Sequence, residues 1–441
     1  MTLSARLGGR PMTMHYKLGT LHTGFPISLS AEERRLHIDI VGQSGTGKST
    51  LLFNMMMADL AAGRGFVLID PHGDLAQAVA DATPKHRTND VIYFDPLDPS
   101  HAVGFNPLSS DISPALLTAH IVSAFKHIWR DSWGPRLEYI LTNSVRLLLA
   151  TPGQTLLGLP RLLVDDDFRA RLIERCDDPV VRLFWLIEFA GYGDRLRAEA
   201  IAPIQNKIGQ LAGNPIIRSV IGQPSTIHIS SIINGDKILI ANLSKRIGEE
   251  PSHLLGALLV TAIAQAAEGR ASLPEHQRRD FTLYVDEFQN FATDTFATIL
   301  SEMRKWRLNL VLANQFLGQV PDILRQSIFG NVGTLVVFRV GAEDAPMLGA
   351  QLGHPNPAVL TETSNHAAWI KMMRGNAPSS PQFLITFPPS PQAKGRLPAI
   401  IARTHARHAR PRPIVEAGIA AVFARTHPAR RLGPRSAQRW A

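Results

Sequence analysis

Cysteine is all but missing from these 441 residues: Cys176 stands alone, so no intramolecular disulfide can form and a reducing compartment is expected. Long apolar runs are missing too. The most extended, "LLGALLVTAIAQAA" from Leu254 to Ala267, carries a glutamine and falls short of the roughly 20 residues a membrane span needs, so a buried helix is expected there. The opening "MTLSARLGGRPMTMHYKLG" lacks the continuous apolar core of a secretory signal. These absences predict a cytoplasmic chain with no direct membrane span, reaching the inner membrane only through a partner. No internal repeat or low-complexity tract stands out before residue 394. Acidic residues are in deficit, 37 against 46 Lys and Arg, but the shortage is local. From Lys394 to Ala441 there are eleven basic residues and one acid, Glu416, so this stretch holds the whole +9 excess and leaves the body near neutral. It is expected to be a flexible basic arm around one short helix at Val415–Arg425, either holding phosphate backbones or simply solvated.

What is present is a recurring alternation. Short apolar runs at His37–Val41, Phe66–Ile69, Val91–Phe94, Lys237–Leu243, Phe281–Val285, Leu308–Ala313 and Thr334–Val340 alternate with helical stretches. That pattern predicts an α/β fold with a mostly parallel sheet covered on both faces. "FPISLS" reads as a strand before the charged "AEERR", and "HAAWIKMM" and "QFLITF" read as two late strands joined by a loop from Arg374 to Pro381. Between residues 111 and 226 the texture changes. Apolar residues recur at helical spacing in "RLEYILTNSVRLLLA" and "PVVRLFWLIEFA", and Ser113–Pro114 and Asp178–Pro179 mark helix starts. The expected organisation is a lead-in (1–36), a first core half (37–110), an all-helical insertion (111–226), a second core half (227–393) and the basic tail (394–441). Trp129 and Trp133 suit the packing of the insertion better than a docking surface.

Within the first strand–helix pair lies "VGQSGTGKST". Gly42, Gln43, Ser44, Gly45, Thr46, Gly47, Lys48, Ser49 and Thr50 have the spacing of a phosphate loop, with its strand before and helix after. Glycines let the backbone amides turn toward an anion, and the helix start adds its positive end. Lys48 then reaches the β and γ phosphates of ATP, and the Ser49 hydroxyl joins the Mg2+ shell. "FTLYVDEFQNF" ends a buried strand with two acids: Asp286 suits the magnesium and Glu287 suits a water attacking the γ phosphate, where the plain alternative is two solvated acids at a turn. Asp70 and His72 in "LIDPHGD" either touch nucleotide or only shape an Asp-Pro turn, and Asp95 in "YFDPLDP" is more simply a turn.

Guanine specificity calls for Asn-Lys-x-Asp, and the nearest string, "NKIG" at Asn206–Gly209, lacks the acid and sits in the helical insertion, which favours ATP. A small-molecule kinase would need neither the insertion nor the second set of strands. Phe296, Ile299, Leu300 and Met303 follow at one helical face. Arg304, one position beyond, can reach across a subunit boundary or settle the helix dipole. The next strand ends at Gln315, where a γ-phosphate sensor would sit.

Taken in order, "VGQSGTGKSTLL", "LIDPHGDL", "YFDPLDPSHAVGFNPL", "WGPRLEYIL", "LYVDEFQNFAT" and "LANQFLGQ" resemble the conjugative coupling ATPases of type IV secretion, the TraG/TraD-like members of the HerA/FtsK class of DNA translocases. The resemblance runs from about Pro26 to Pro389. It implies a RecA-like motor with an all-helical insertion, a homo-oligomeric ring of six with ATP at subunit interfaces, and DNA passing through the axis. It implies Lys48 and Ser49 as phosphate-loop residues, Asp286 and Glu287 as the magnesium and water acids, Arg304 offered to the neighbouring subunit, and Gln315 as sensor. Relaxase or secretion-channel proteins are the implied partners. Membrane-anchored members begin with spanning helices and this chain does not, so a soluble branch or a motor recruited by a membrane partner is expected. The competing expectation is an ATPase that hands over protein cargo without acting on DNA.

Overall fold

Runs of Val, Ile, Leu and Phe with no polar alternation have no solvated face, so they form strands only where both sides of a sheet are covered. The computed structural model describes residues 15–109, 113–293, 295–389 and 393–424, and it places strands at Ile38–Val41, Phe66–Asp70, Val91–Phe94, Ile238–Asn242, Phe281–Val285, Leu308–Asn314 and Thr334–Val337. Among the described residues these strands pair in parallel, in the spatial order 334–337, 38–41, 308–314, 281–285, 66–70, 238–242 and 91–94. Every residue of each is buried. The fold is a mostly parallel α/β sheet, as the alternation predicts, and it is RecA-like, as the resemblance implies.

The sheet continues beyond Thr334–Val337 with antiparallel strands Ala367–Arg374, Gln382–Thr386, His15–Leu21 and Pro26–Ser30. Three of these lie where the sequence puts strands. His15–Leu21, read as part of the lead-in, is a further strand: Tyr16 and Leu18 point into the core, 1% and 2% exposed, in an alternation too short to stand out. Gly19 is required there, because a Cβ would lie 2.1 Å from the Ile385 carbonyl oxygen of the paired strand. The apolar run at Leu254 falls in helix Glu249–Glu268. Its span passes for membrane-crossing by length and composition, yet 72% of the apolar window is buried inside the protein, as expected of a core helix.

The chain forms two compact units. One holds the described residues up to Phe94 with His228–Thr404, and the other holds Asp95–Ile227 with the described residues from His405 onward. The second unit is built on helices Pro114–Ile128, Pro135–Leu149, Gly158–Val164, Asp166–Glu174 and Asp194–Gly213. Its helix starts follow the Ser-Pro and Asp-Pro signals: Ser113 Oγ accepts from the Leu116 amide, and the Asp178 carboxylate accepts from the Val180 and Val181 amides. Trp129 is buried and stacks on Phe125 with centroids 4.9 Å apart, while half-buried Trp133 donates its indole proton to Glu138.

The expected flexible arm is corrected over its described part. Residues 394–424 contain helices Leu397–His408 and Arg412–Ala424. In the first unit Ile400 is fully buried, and Thr404 Oγ1 accepts from the Tyr93 amide at 3.0 Å. In the second, Arg218 pairs with Glu416 at 2.7 Å and Arg412 donates to Ser219 Oγ. Dense Arg and His disguised helix Leu397–His408, whose Ile400 sits in the core with Leu397 and Ile401 packed against it. Arg425, the end of the short helix expected at Val415, and the basic residues beyond it lie outside the described residues.

Candidate active site

Four adjacent parallel strands, 38–41, 308–314, 281–285 and 66–70, end along one edge, and chemistry in such sheets collects at the carboxyl ends. A cavity of about 1190 Å³ opens there, lined among others by Ser44, Gly45, Gly47, Lys48, Ser49, Thr50, Asp70, His72, Asp286, Glu287, Gln315 and His366. The sequence had named all but His366.

The loop from Gly42 to Gly47 has the backbone its glycines permit. Gly45 and Gly47 sit at φ 75° and 120°, where a side chain would be strained, and helix Lys48–Ala61 starts immediately after. Gly42 is needed for space, since a Cβ would lie 2.5 Å from Phe338 Cβ. Thr46 Oγ1 donates to the Gln43 carbonyl at 2.7 Å, and the Gln43 side chain accepts from Arg339. Buried Lys48 donates from Nζ to the carbonyls of Gly42 at 2.5 Å and Gln43 at 3.2 Å, folding the ammonium across the loop. Burial lowers the Lys48 pKa, while Glu287 and Asp286 work to raise it.

Facing the loop, Asp286 and Glu287 end the strand Phe281–Val285 and are 4% and 6% exposed. Burial, with Asp70 and Glu287 close by, pushes the Asp286 carboxyl up to about 7. A divalent ion placed among these acids would relieve the repulsion that raises Asp286. Glu287 adopts a left-handed backbone, φ 48° and ψ 51°, which turns its side chain off the strand direction. Both carboxylate oxygens are held: Gln315 Nε2 donates to Oε1 at 3.1 Å and Gln289 Nε2 to Oε2 at 2.7 Å.

Asp70 shapes the turn and also lines the cavity. Its oxygens accept from the His72 amide and the Ala76 amide, both at 2.8 Å, capping helix Asp74–Ala82 while its charge faces Asp286. Asp95 likewise accepts from the Leu97 amide in its turn. Arg304 is elsewhere. Phe296, Ile299, Leu300 and Met303 are buried, and the turn Met303–Trp306 leaves Arg304 exposed at the amino end of strand Leu308–Asn314. That strand of seven residues is roughly 23 Å long at 3.3 Å per residue, so Arg304 cannot reach its own chain's cavity from there.

Two contributors went unnoticed in the sequence. His366, at φ 62°, lines the cavity and its amide donates to the Thr46 carbonyl at 2.7 Å, fastening the loop from a distant strand end. Gln289 owes its role to the left-handed turn at Glu287. Neither follows a motif, because each acts through tertiary neighbours.

Comparison with known proteins agrees with the resemblance seen in the sequence. Residues 16–126 match the family model of the central domain of the helicase HerA. No curated protein sequence matches. Among solved structures, the chain is similar to the bacterial conjugative coupling protein TrwB, at 17% identity with a TM-score of 0.64, covering 88% of this chain and 92% of that one. The same protein in complex with ADP and Mg2+ aligns at 18% identity with a TM-score of 0.63, over 90% of this chain and 99% of that one. VirB4 of Thermoanaerobacter pseudethanolicus aligns at 12% identity with a TM-score of 0.58, over 86% and 98%.

Proposed function

We propose that this chain is an ATP-hydrolysing motor that works as a ring of six copies and moves DNA, as a coupling protein in conjugative transfer or type IV secretion. The observation that carries this reading is the convergence of Lys48, Asp286, Glu287 and Gln315 on one cavity at the carboxyl edge of a parallel sheet. The resemblance of the ordered motifs to coupling ATPases supplies the cargo and the ring.

The loop amides and the positive end of helix Lys48–Ala61 would cradle the β phosphate. Lys48 Nζ would exchange the Gly42 and Gln43 carbonyls for β and γ oxygens, a swap that needs little movement because the ammonium already lies over the loop. The donor set fits Mg2+: Ser49 stands at the helix start and Asp286 opposite it, its proton given up when a cation shares the site. When bound, the ion neutralises charge spreading over the β and γ phosphates. Glu287 would orient a water in line with the γ phosphorus and accept its proton. Gln315, bonded to Glu287, would exchange part of that bond for a γ oxygen and so report the triphosphate. Arg304 of an adjacent copy would supply the positive charge this cavity lacks on its open side.

The test is ATP turnover with and without double-stranded DNA. DNA should stimulate hydrolysis several-fold, and Lys48→Ala should abolish it. Absence of turnover overturns the ATPase reading. Stimulation by a relaxase or other secreted protein, with DNA inert, replaces the DNA motor with protein handover.

A further inference from the structure

Away from the residues that line the nucleotide cavity, the second unit brings together Asp98, His101 and His405, one donor atom from each lying within 4.8 Å of the others. The two imidazoles stack, centroids 4.1 Å apart and planes at 16°, so one ring must rotate out of the stack for both to present an in-plane lone pair to a single ion.

The carboxylate is prepared in advance. Asp98 Oδ1 accepts from the Ser100 amide, the Ser100 hydroxyl and the His101 amide at 2.9, 2.8 and 2.9 Å, which leaves Oδ2 facing His405 Nε2 at 2.5 Å. The Ser100 hydroxyl donates its one hydrogen bond to Asp98 Oδ1, so its oxygen accepts from His101 Nδ1 at 2.9 Å. The proton is thereby placed on Nδ1 and the lone pair on Nε2, the tautomer control that outer-sphere partners exert on ligating histidines.

We propose that Asp98, His101 and His405 form a site for a divalent transition metal of the zinc class, which takes the place of the proton shared between His405 Nε2 and Asp98 Oδ2. Two imidazoles, one carboxylate oxygen and water make a donor set suited to such an ion, and binding releases one proton. Three protein ligands, with His405 and Asp98 24% and 17% exposed, make the site exchangeable rather than closed. Arg412 is the nearby opposing charge. Its guanidinium is engaged with the Pro96 and Asp98 carbonyls and Ser219 Oγ, so it weakens cation binding without occupying the carboxylate. An ion here staples the end of helix Leu397–His408 to the Asp98 turn.

Full-length protein stripped of metal and titrated with Co2+ without nucleotide tests this. One equivalent should develop the visible absorption of a four- or five-coordinate Co2+ site, bleached by Zn2+, and Zn2+ should raise the melting temperature. The double variant His101→Gln/His405→Gln should lose the band and the stabilisation. His101→Gln alone, which keeps the Asp98–His405 pair for folding, should weaken Co2+ binding at least tenfold. A wild-type protein with no band, or a band that survives in His101→Gln at unchanged affinity, reduces the cluster to an ion pair and overturns the proposal.

Discussion

Gln315 Nε2 lies 3.1 Å from Glu287 Oε1 and donates to it, tying the end of one strand to the acid at the end of its neighbour. If Gln315 reports the γ phosphate to the base, Gln315→Leu should lower kcat by about 10- to 100-fold with the KM for ATP little changed. Steady-state kinetics decides this. A KM effect alone would make Gln315 a binding residue.

Arg304 stands at the amino end of its strand, outside its own cavity. Arg304→Ala should therefore leave nucleotide affinity near normal and cut hydrolysis by about 10³- to 10⁵-fold. Mixed with Lys48→Ala, it should regain some turnover, because each variant supplies the half the other lacks. No recovery in the mixture would remove Arg304 from the neighbour's site.

Asp39 is a buried acid within strand Ile38–Val41, with Oδ1 lacking any hydrogen-bond partner, and burial pushes its carboxyl from 3.8 to about 7. Below 3.8 both folded and unfolded chains are protonated there and pH has no effect through this group. Between 3.8 and about 7 the unfolded chain has lost the proton while the folded one keeps it, so stability falls as pH rises, and above 7 the full penalty remains. Asp39→Asn should flatten that slope and stabilise the protein at pH 8 by on the order of a few kcal/mol. Urea melts across this range measure it.

Arg34 and Asp59 form a bidentate pair, 2% and 0% exposed, closed by Tyr284 Oη on Asp59 and by Arg34 over the Tyr16 ring at 3.8 Å. Removing one charge strands the other: Arg34→Met or Asp59→Leu alone should cost about 3–5 kcal/mol. The double substitution should recover most of that loss, and denaturant midpoints report it. Equal losses in single and double variants would count against stranding as the cause.

Deleting the chain from Leu397 onward should lower the melting temperature and impair nucleotide binding together. Ile400 fills the core of the first unit, and the Asp81 carboxylate receives the Gly395 and Leu397 amides beside the cavity. A truncated protein that melts and binds like the intact one would show these contacts to be dispensable.

Much of this architecture is legible in the sequence where the signal is local. Phe281–Val285 and Leu308–Asn314 read as strands because they are short, mostly apolar runs broken only by Thr282, Asn309 and Asn314. Lys48, Asp286 and Glu287 read as a site because a phosphate loop is a backbone pattern and an acid pair at a strand end is a short string. His366 and Gln289 carry no such pattern: one contributes an amide from a remote strand end, the other an amide displaced by a left-handed turn. His15–Leu21 was hidden because its alternation is only Tyr16 and Leu18 long and breaks at the bulge between Lys17 and Gly19. Helix Leu397–His408 was hidden by Arg403, His405, Arg407 and His408, which outweigh its two buried positions, Ile400 and Thr404, four apart.

The pairing of Gly19 with Thr386 and Leu21 with Leu384 also sets a timetable for biosynthesis. Ribosomes add about 5–20 residues per second, so the earliest of these partners waits on the order of tens of seconds for the other to be made. Throughout that interval one backbone edge stands unpaired beside every other nascent copy on the same message, where mispairing competes with completion.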